Sequence, residues 1–263
     1  MRQASHDNPQ DDSEGRAGAP PGRRRLSPAE RQRLITAHVS LVESVVGRIM
    51  VTLPDSVDRE DLISCGILGL IQAVDRFEPR RGVKFNTYAT SVIRGAVMDE
   101  LRSQDWAPRS VREKCRRLER VLSGLEAQLG RSPDDHEMAA ALRMPVDEYH
   151  QLLSDASGVA LVSLETLLSG SDVMRQETTM SRSEEGLQDP EHHAERQELK
   201  AVLAEAIDTL PQPERLVIAL YYHEELTLRE IGEVLGVTES RVCQIHTQAV
   251  LRLRTRMSRE LAS

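Results

Sequence analysis

The sequence predicts an all-α fold of three small helical domains joined by linkers, ending in a helix-turn-helix. Apolar residues recur every three or four positions along most of the chain, the spacing of one helical face. No stretch alternates between apolar and polar residues for long enough to form a strand. Proline and glycine breaks interrupt the periodic stretches, so we expect the helices in separate compact units.

The chain opens with a predicted disordered tail, residues 1–26, which is dense in Pro, Gly and charge and has no apolar periodicity. Helical periodicity begins at Ser27 and Pro28, an N-cap residue followed by a first-turn proline. One helix should run from there to the break at Leu53 and Pro54.

Two further helices complete the first domain, which is predicted over residues 27–107. The second helix should open at Asp58 or Asp61, and the third near Asn86 or Thr87. An Ala-Pro pair then breaks the pattern and sets the domain boundary.

The remainder of the chain divides into a second domain, a linker and a third domain. One long and two short helices are predicted for residues 108–155. Residues 156–195 are rich in Ser, Gly and acids with only weak periodicity, which predicts an acidic linker. Four helices are predicted for residues 196–263.

Composition excludes several classes of protein. No run approaches the length of a membrane span, and no apolar stretch near the N-terminus resembles a signal peptide, so we expect a cytoplasmic protein without membrane contact. Cys65, Cys115 and Cys243 form no CxxC pair, and two adjacent histidines, His192 and His193, cannot both face one ion from a helix. No P-loop, nucleotide fingerprint or nucleophile elbow appears, so we expect neither a metal, a cofactor nor catalysis.

The charge is unevenly placed. The formal net charge is -8, which argues against bulk attraction to nucleic acid. Yet residues 94–120 contain eight basic and five acidic residues, and residues 241–260 contain five Arg and one Glu. Residues 170–195 between them contain seven acidic residues and two Arg. Two basic segments separated by an acidic tether indicate two nucleic-acid contacts held apart.

Residues 226–254 carry the clearest local pattern, that of a helix-turn-helix. Thr227 can cap a first helix, Gly236 permits the turn, and Thr238 can cap a second helix. A buried stripe is expected in the second helix at Val242, Ile245, Ala249 and Leu253. The residues expected to face outward are Ser240, Arg241, Gln244 and Gln248.

This division is the one that a recognition helix needs. The amide of Gln244 can make the bidentate contact that adenine offers in the major groove, while Arg241, Arg252 and Arg254 suit phosphates. On these residues alone, an ordinary helical hairpin with solvated arginines is the alternative interpretation.

The few aromatic residues are clustered beside basic residues. Phe77, Phe85, Tyr88 and Trp106 are four of only seven aromatics in the chain. Ring faces and positive charge together are what unstacked bases and their backbone require, so a melted DNA strand is a candidate ligand. The alternative interpretation is that the rings simply fill a helical core.

Two long motifs resemble bacterial RNA polymerase sigma factors of the sigma-70 family. They are EDLISCGILGLIQAVDRFEPRRGVKFNTYATSVIRGAVMDELRSQDWAPRSVR and LTLREIGEVLGVTESRVCQIHTQAVLRLR. The resemblance covers about residues 30–260, in the family's order of domain two, domain three, linker and domain four. Within the family the sequence is most similar to the flagellar and sporulation, sigma-28-like group.

The resemblance implies roles for named positions. Those expected to dock on the clamp coiled coil of the largest polymerase subunit are Asp61, Ser64, Cys65, Ile67 and Ile71. Those expected to bind and melt the −10 element are Phe77, Arg81, Lys84, Phe85, Thr87, Tyr88, Arg94 and Trp106. Those expected beside the extended −10 region are Arg109 and Arg112. Those expected to read the −35 element are Ser240, Arg241, Cys243, Gln244, Gln248 and Arg252.

One departure from the family's housekeeping members supports the flagellar group. Those members carry paired tryptophans after TYAT, whereas this chain has Ser91 and Val92. The resemblance therefore implies an alternative sigma factor for motility or developmental genes, whose promoters have a GC-containing −10 element.

The resemblance also implies partners: core RNA polymerase, including the flap of its second subunit, promoter DNA and an anti-sigma factor. The protein is then expected in the cytoplasm, associated with the nucleoid when in holoenzyme. The competing hypothesis is an operator-binding helix-turn-helix regulator, which would need neither the aromatic cluster nor an apolar docking helix.

Overall fold

The computed structural model describes residues 27–78, 82–104, 106–170 and 190–260. Across these ranges the regular secondary structure is entirely α-helical, as the sequence predicts. The helices are α1 Pro28–Ala37, α2 Val39–Met50, α3 Arg59–Arg76, α4 Phe85–Ser103, α5 Arg109–Leu129, α6 Asp135–Leu142, α7 Val146–Gly170, α8 Pro190–Asp208, α9 Gln212–Tyr222, α10 Leu228–Leu235 and α11 Glu239–Glu260. The predicted tail over 1–26 and residues 171–189 of the predicted linker lie outside the described residues.

Several helices begin at side-chain caps that the sequence contains. The side chains of Ser27, Asp134 and Thr227 each accept a hydrogen bond from the backbone N–H three residues later. That residue is a Glu in each case, and its carboxylate accepts from the backbone N–H of the cap residue. Asp58 caps α3, the earlier of the two predicted starts. We call α1–α4 the N-terminal unit, α5–α7 the middle unit and α8–α11 the C-terminal unit.

The single helix predicted from Ser27 onward is in fact two helices. His38 separates α1 from α2, with φ −117° and ψ 11°. Its Nδ1 lies 2.8 Å from the carbonyl oxygen of Leu34, and its ring lies edge-on to Phe85 at 4.6 Å between centroids. The break occurs because the histidine ring satisfies the end of α1 while it packs on α4.

The middle unit extends further than the sequence predicted. Helix α7 continues to Gly170, although residues 156–195 were assigned to the linker. Ala156, Ala160 and Leu164 are buried along this extension. Their spacing of four residues is helical, but small residues and serines weaken the apolar pattern on which the prediction depended.

Buried side chains form three clusters. The first holds the N-terminal unit together and includes Leu161 of α7. The second is shared between the middle and C-terminal units, where Leu118 and Leu153 belong to the same cluster as Ala249 and Leu253 of α11. The third lies within the helix-turn-helix. In this conformation α11 therefore packs along the middle unit and is not separated from it.

The N-terminal and middle units meet at a glycine. A Cβ atom on Gly158 of α7 would lie 2.6 Å from the carbonyl oxygen of Thr52 and 3.0 Å from the ring of Trp106. The neighbouring Ser157 hydroxyl donates to the same Thr52 oxygen at 2.9 Å. The indole N–H of Trp106 donates to Leu101 O at 2.9 Å, which fixes the ring against α7.

The N-terminal and C-terminal units meet at an arginine and two tyrosines. The Arg94 guanidinium lies over the Tyr222 ring at 4.4 Å from its centroid and pairs with Glu165 of α7 at 3.1 Å. His246 of α11 packs beside both Tyr221 and Tyr222. Its Nε2 is buried without a hydrogen-bond partner among the described residues, and burial, with the nearby Arg94 charge, lowers its pKa to about 3.

None of the helices in the described ranges is both long and apolar enough to cross a membrane.

We predict that Gly158→Ala destabilises the protein by about 1–3 kcal/mol, because the added methyl group overpacks the contact between α7 and the N-terminal unit. Gly124→Ala, in the middle of α5, is the matched control because a Cβ there meets nothing within 4 Å. The control should gain up to about 1 kcal/mol from helix propensity. Thermal unfolding midpoints distinguish the two variants, and equal shifts would contradict the close contact.

We also predict a pH-dependent difference between the wild type and His246→Phe. The pKa of His246 is lowered in the folded state. Below the ordinary pKa of a histidine, the unfolded chain therefore binds a proton at His246 that the folded chain does not bind. The wild type should therefore lose unfolding free energy as pH falls below about 6.5, by up to about 1.4 kcal/mol per unit more than the variant. Urea unfolding at several pH values measures this difference, with the exposed His136→Gln as control. Parallel pH profiles would refute it.

Candidate nucleic-acid interface

The helix-turn-helix forms as the sequence predicts. Thr227 and Glu230 make a reciprocal capping box at α10, and Gly236 ends that helix with φ +69°. The Thr238 hydroxyl accepts from the Arg241 backbone N–H at 3.2 Å at the start of α11. Gly232 lets the turn approach closely, because a Cβ there would lie 2.7 Å from Val237 O. Helices α10 and α11 are thus held at a fixed, tight turn.

The predicted reading residues divide into two groups in this structure. Ser240 is exposed, while Arg241 and Gln244 are half-buried. Cys243, Gln248 and Arg252 are buried, with exposed fractions of 8%, 6% and 4%. The prediction that Gln248 faces outward is wrong for this conformation, because the polar face of α11 lies against the middle unit.

Asp135, in the first turn of α6, is the centre of that contact. Its Oδ2 accepts from Arg241 at 3.0 Å, and its Oδ1 accepts from the Gln248 amide at 3.1 Å. The same amide lies 3.2 Å from the Tyr149 hydroxyl, and His150 Nε2 lies 2.8 Å from Oδ2. Burial alone would raise the pKa of Asp135, but the hydrogen bonds from His150, Arg241 and Gln248 outweigh it and lower the pKa.

A buried ion pair lies one turn after Gln248 along α11. Arg252 bonds to the carboxylate of Glu214 in α9 and to the carbonyl oxygen of Pro133. Burial raises the pKa of Glu214 to about 7, although Arg252 opposes the shift. Two residues further along α11, Arg254 bonds to Glu119 of α5. Three arginines of α11, Arg241, Arg252 and Arg254, are therefore bound to carboxylates of the protein itself.

The aromatic residues of the N-terminal unit form a compact cluster at the start of α4. The Phe77 ring lies 5.1 Å from Phe85 and 5.8 Å from Tyr88 between centroids, and His38 packs on the other side of Phe85. All four rings are half-buried, so each keeps some surface toward solvent. Sequence reasoning missed His38, because it lay within an expected continuous helix.

Around this cluster the other predicted −10 residues have mixed positions. Lys84 and Thr87 are exposed beside the rings, and Arg81 lies outside the described residues. Arg94 is turned toward Tyr222 and Glu165, and Trp106 lies at the junction with α7. Neither residue belongs to the aromatic cluster in this conformation, because both pack against other units.

The predicted docking positions lie on the outer side of α3. Asp61 and Ser64 are exposed, and Cys65, Ile67 and Ile71 are half-buried. Leu68 on the same helix is 59% exposed, which sequence reasoning did not single out. Together with the half-buried Ile67 and Ile71, Leu68 leaves apolar surface on the outer side of α3.

The last predicted positions lie at the start of α5. Arg109 is exposed and Arg112 is half-buried there. Within the described part of the chain, no group of three His, Cys, Asp or Glu residues has the arrangement of a metal site.

Comparison with known families and proteins agrees with this geometry. Sequence profiles match this chain for Sigma-70 region 2 at residues 34–107, Sigma-70 region 3 at residues 113–189 and Sigma-70, region 4 at residues 206–255. The first covers the aromatic cluster and α3, the second covers α5–α7, and the third covers the helix-turn-helix.

Full-length relatives extend the match over most of the chain. The RNA polymerase sigma factor FliA of Pseudomonas aeruginosa is 43% identical over 229 residues, which is 87% of this chain and 91% of that protein. The RNA polymerase sigma-D factor of Bacillus subtilis is 40% identical, over 84% of this chain and 87% of that protein.

A solved structure is similar as well. The sigma factor in a cocrystal structure of the flagellar sigma/anti-sigma complex Sigma-28/FlgM is 35% identical, with a TM-score of 0.54 over 89% of this chain and 99% of that chain. This chain therefore belongs to the sigma-70 family, as an alternative sigma factor of the flagellar, sigma-28-like group and a non-catalytic initiation subunit of RNA polymerase.

Proposed function

We propose that this sigma factor reads its promoters with two separate surfaces, α11 for the −35 element and the aromatic cluster for the melted −10 element. The observation that carries the proposal is the pairing of a tightly turned helix-turn-helix with four clustered rings at a distant site in the same chain. A regulator that binds only duplex DNA has no use for the rings.

On the −35 side, α11 would enter the major groove with its N-terminal half. Ser240 and Gln244 would reach base edges, with Gln244 suited to adenine, and Arg241 would bind a phosphate. Gln248 and Arg252 follow Gln244 at spacings of four residues on one helix face and would join the contact once it is free, whereas Cys243 belongs to the buried cluster of the helix-turn-helix. A good bidentate amide contact contributes about 1–3 kcal/mol of discrimination.

On the −10 side, Phe85 and Tyr88 offer ring faces to bases that leave the duplex. Each base stacked on an aromatic ring contributes about 1–3 kcal/mol, which offsets much of the cost of unstacking. Lys84 and Arg81 would hold the strand backbone, and Thr87 would offer a hydroxyl. Arg94 and Trp106 would contribute only after the units separate, and Arg109 and Arg112 would lie near the extended −10 region.

The two surfaces are not equally available in the conformation described above. Arg241, Gln248 and Arg252 each bond to acidic groups or carbonyls of the protein itself, so α11 must leave the middle unit before it can contact DNA. The predicted domain boundary after residue 107 gives a hinge between the N-terminal and middle units, whereas residue 195 lies inside α8 and gives none. The outer side of α3 is exposed already, so docking on the polymerase clamp would come first.

Partners and location follow from these surfaces. We expect the protein to bind the clamp coiled coil and the flap of core polymerase, and to act in the cytoplasm at the nucleoid, where its promoters lie. Because the similar solved structure is a sigma/anti-sigma complex, we also expect an anti-sigma factor of the FlgM kind as a partner.

Run-off transcription tests the function directly. Core polymerase with the purified protein should transcribe a subset of genomic fragments that share one upstream sequence, and permanganate should detect unpaired thymines from the −10 element to the start site. Phe85→Ala should reduce this melting by about 5- to 150-fold, because about 1–3 kcal/mol of stacking is lost. If the protein instead shifts duplex fragments alone and yields no open complex, the operator-binding regulator becomes the correct interpretation.

A second prediction concerns the contact of α11 with Asp135 of α6, called here the closed contact. Asp135→Asn removes the charge that holds Arg241 and Gln248, and a hydrogen bond to a charged group contributes about 1.5–3 kcal/mol. The free variant should therefore bind a −35 duplex about tenfold or more tightly than the wild type, because the competent conformation is more populated.

The matched control for this measurement is Asp147→Asn, which removes the same charge at an exposed position of α7. Fluorescence anisotropy with a labelled duplex at constant salt measures both variants. An equal gain in the two variants would mean that net charge, and not release of α11, determines the affinity.

A further inference from the structure

We propose that a cavity between the three units binds a nucleoside polyphosphate. The bound ligand would favour the conformation described here, in which α11 lies against the middle unit and which we call the closed conformation. The cavity, called here the arginine cavity, has a volume of about 490 Å³. Its lining includes Arg102, Arg112, Arg116, Glu119, Arg254 and Trp106. The binding itself does not depend on the promoter contacts proposed above.

The charge of the lining indicates an anion. Four guanidinium groups and one carboxylate, that of Glu119, line the arginine cavity. Glu119 is already bonded to Nη1 of Arg254, and the Nε of Arg254 is buried without a hydrogen-bond partner among the described residues. Several arginines around one space are the arrangement that binds phosphate groups, because each guanidinium can donate two parallel bonds.

The ring in the wall indicates a base. Trp106 donates its indole N–H to Leu101 O, so the ring is held in place and its polar edge already has a partner. Val159 and Val162 of α7 supply apolar surface in the same lining, and Ser163 adds a hydroxyl. A planar base can therefore stack or pack there while its phosphates extend to the arginines.

The walls favour a small ligand over duplex DNA. They come from α4 and its C-terminal extension, α5, α7 and α11, and a volume of this size falls within the range of small-molecule sites. Arg254 is part of the lining only while α11 lies against the middle unit. A ligand that needs both Arg254 and Trp106 binds the closed conformation better than an open one and shifts the population toward it.

Trp106 makes the test direct, because it is the only tryptophan of the chain. The full-length protein is titrated with GTP, ATP, inorganic triphosphate and guanosine, and tryptophan fluorescence is excited at the red edge of its absorption. Both nucleotides should quench the emission saturably. Inorganic triphosphate should bind about tenfold or more weakly, because it lacks a base to stack. Guanosine should not saturate.

Two variants of α5 provide a matched pair. Arg116→Glu places a carboxylate in the lining and should weaken nucleotide binding by at least about tenfold. Arg120→Glu makes the same charge change one turn further along, at an exposed residue that pairs with Glu113 and does not line the cavity, and should bind like the wild type. Absence of saturable quenching, or equal losses in the two variants, would overturn the proposal.

The effect on conformation has its own readout. Association of a labelled −35 duplex with the free protein requires α11 to leave the middle unit, so its anisotropy signal should weaken when GTP is added to the wild type and to Arg120→Glu, but not to Arg116→Glu. Saturable quenching with unchanged association would overturn the link to the closed conformation. A protein that binds nucleotide but never associates with core polymerase would contradict its role as a sigma factor and leave the nucleotide site intact.

Discussion

Helix α11 has one polar face, and in this structure that face is bound to the protein's own middle unit. Asp135 accepts from Arg241 and Gln248, and Arg252 is buried against Glu214. The same side chains cannot contact a major groove and α6 at once. The shared core of the middle and C-terminal units and the arginine cavity both depend on this packing arrangement, whereas His246 is buried beside Tyr221 and Tyr222 of its own unit and near Arg94 of α4.

In the closed conformation, carboxylates of the protein bind arginines that would otherwise suit DNA phosphates. Carboxylates of Asp135, Glu214 and Glu119 occupy positions opposite arginines that suit phosphates. Removing these ions from water is costly, and each is compensated only by an internal partner. Phosphates can replace Asp135 at Arg241 and Glu119 at Arg254 once α11 leaves the middle unit, whereas Glu214 lies in α9 of the same unit as Arg252 and stays beside it.

The N-terminal unit differs in that its surfaces are not fully covered. Leu68 of α3 is exposed, and the rings of Phe77, Phe85 and Tyr88 are half-buried, while Arg94 is held by Tyr222 and Glu165. A partner that binds α3 therefore meets a preformed surface, whereas contacts through Arg94 or α11 require the units to part. Under the proposed function, this difference places polymerase docking ahead of promoter reading.

The sequence by itself determined the helical class, the caps at Ser27, Thr227 and Thr238, the helix-turn-helix and the clustered aromatics, because these depend on local spacing and capping. Only the tertiary structure decided the break at His38, the extension of α7 and the burial of the reading face. Those features depend on contacts between residues far apart in the chain, such as Asp135 with Gln248. A local sequence pattern does not predict which surface of the protein a polar helix face will contact.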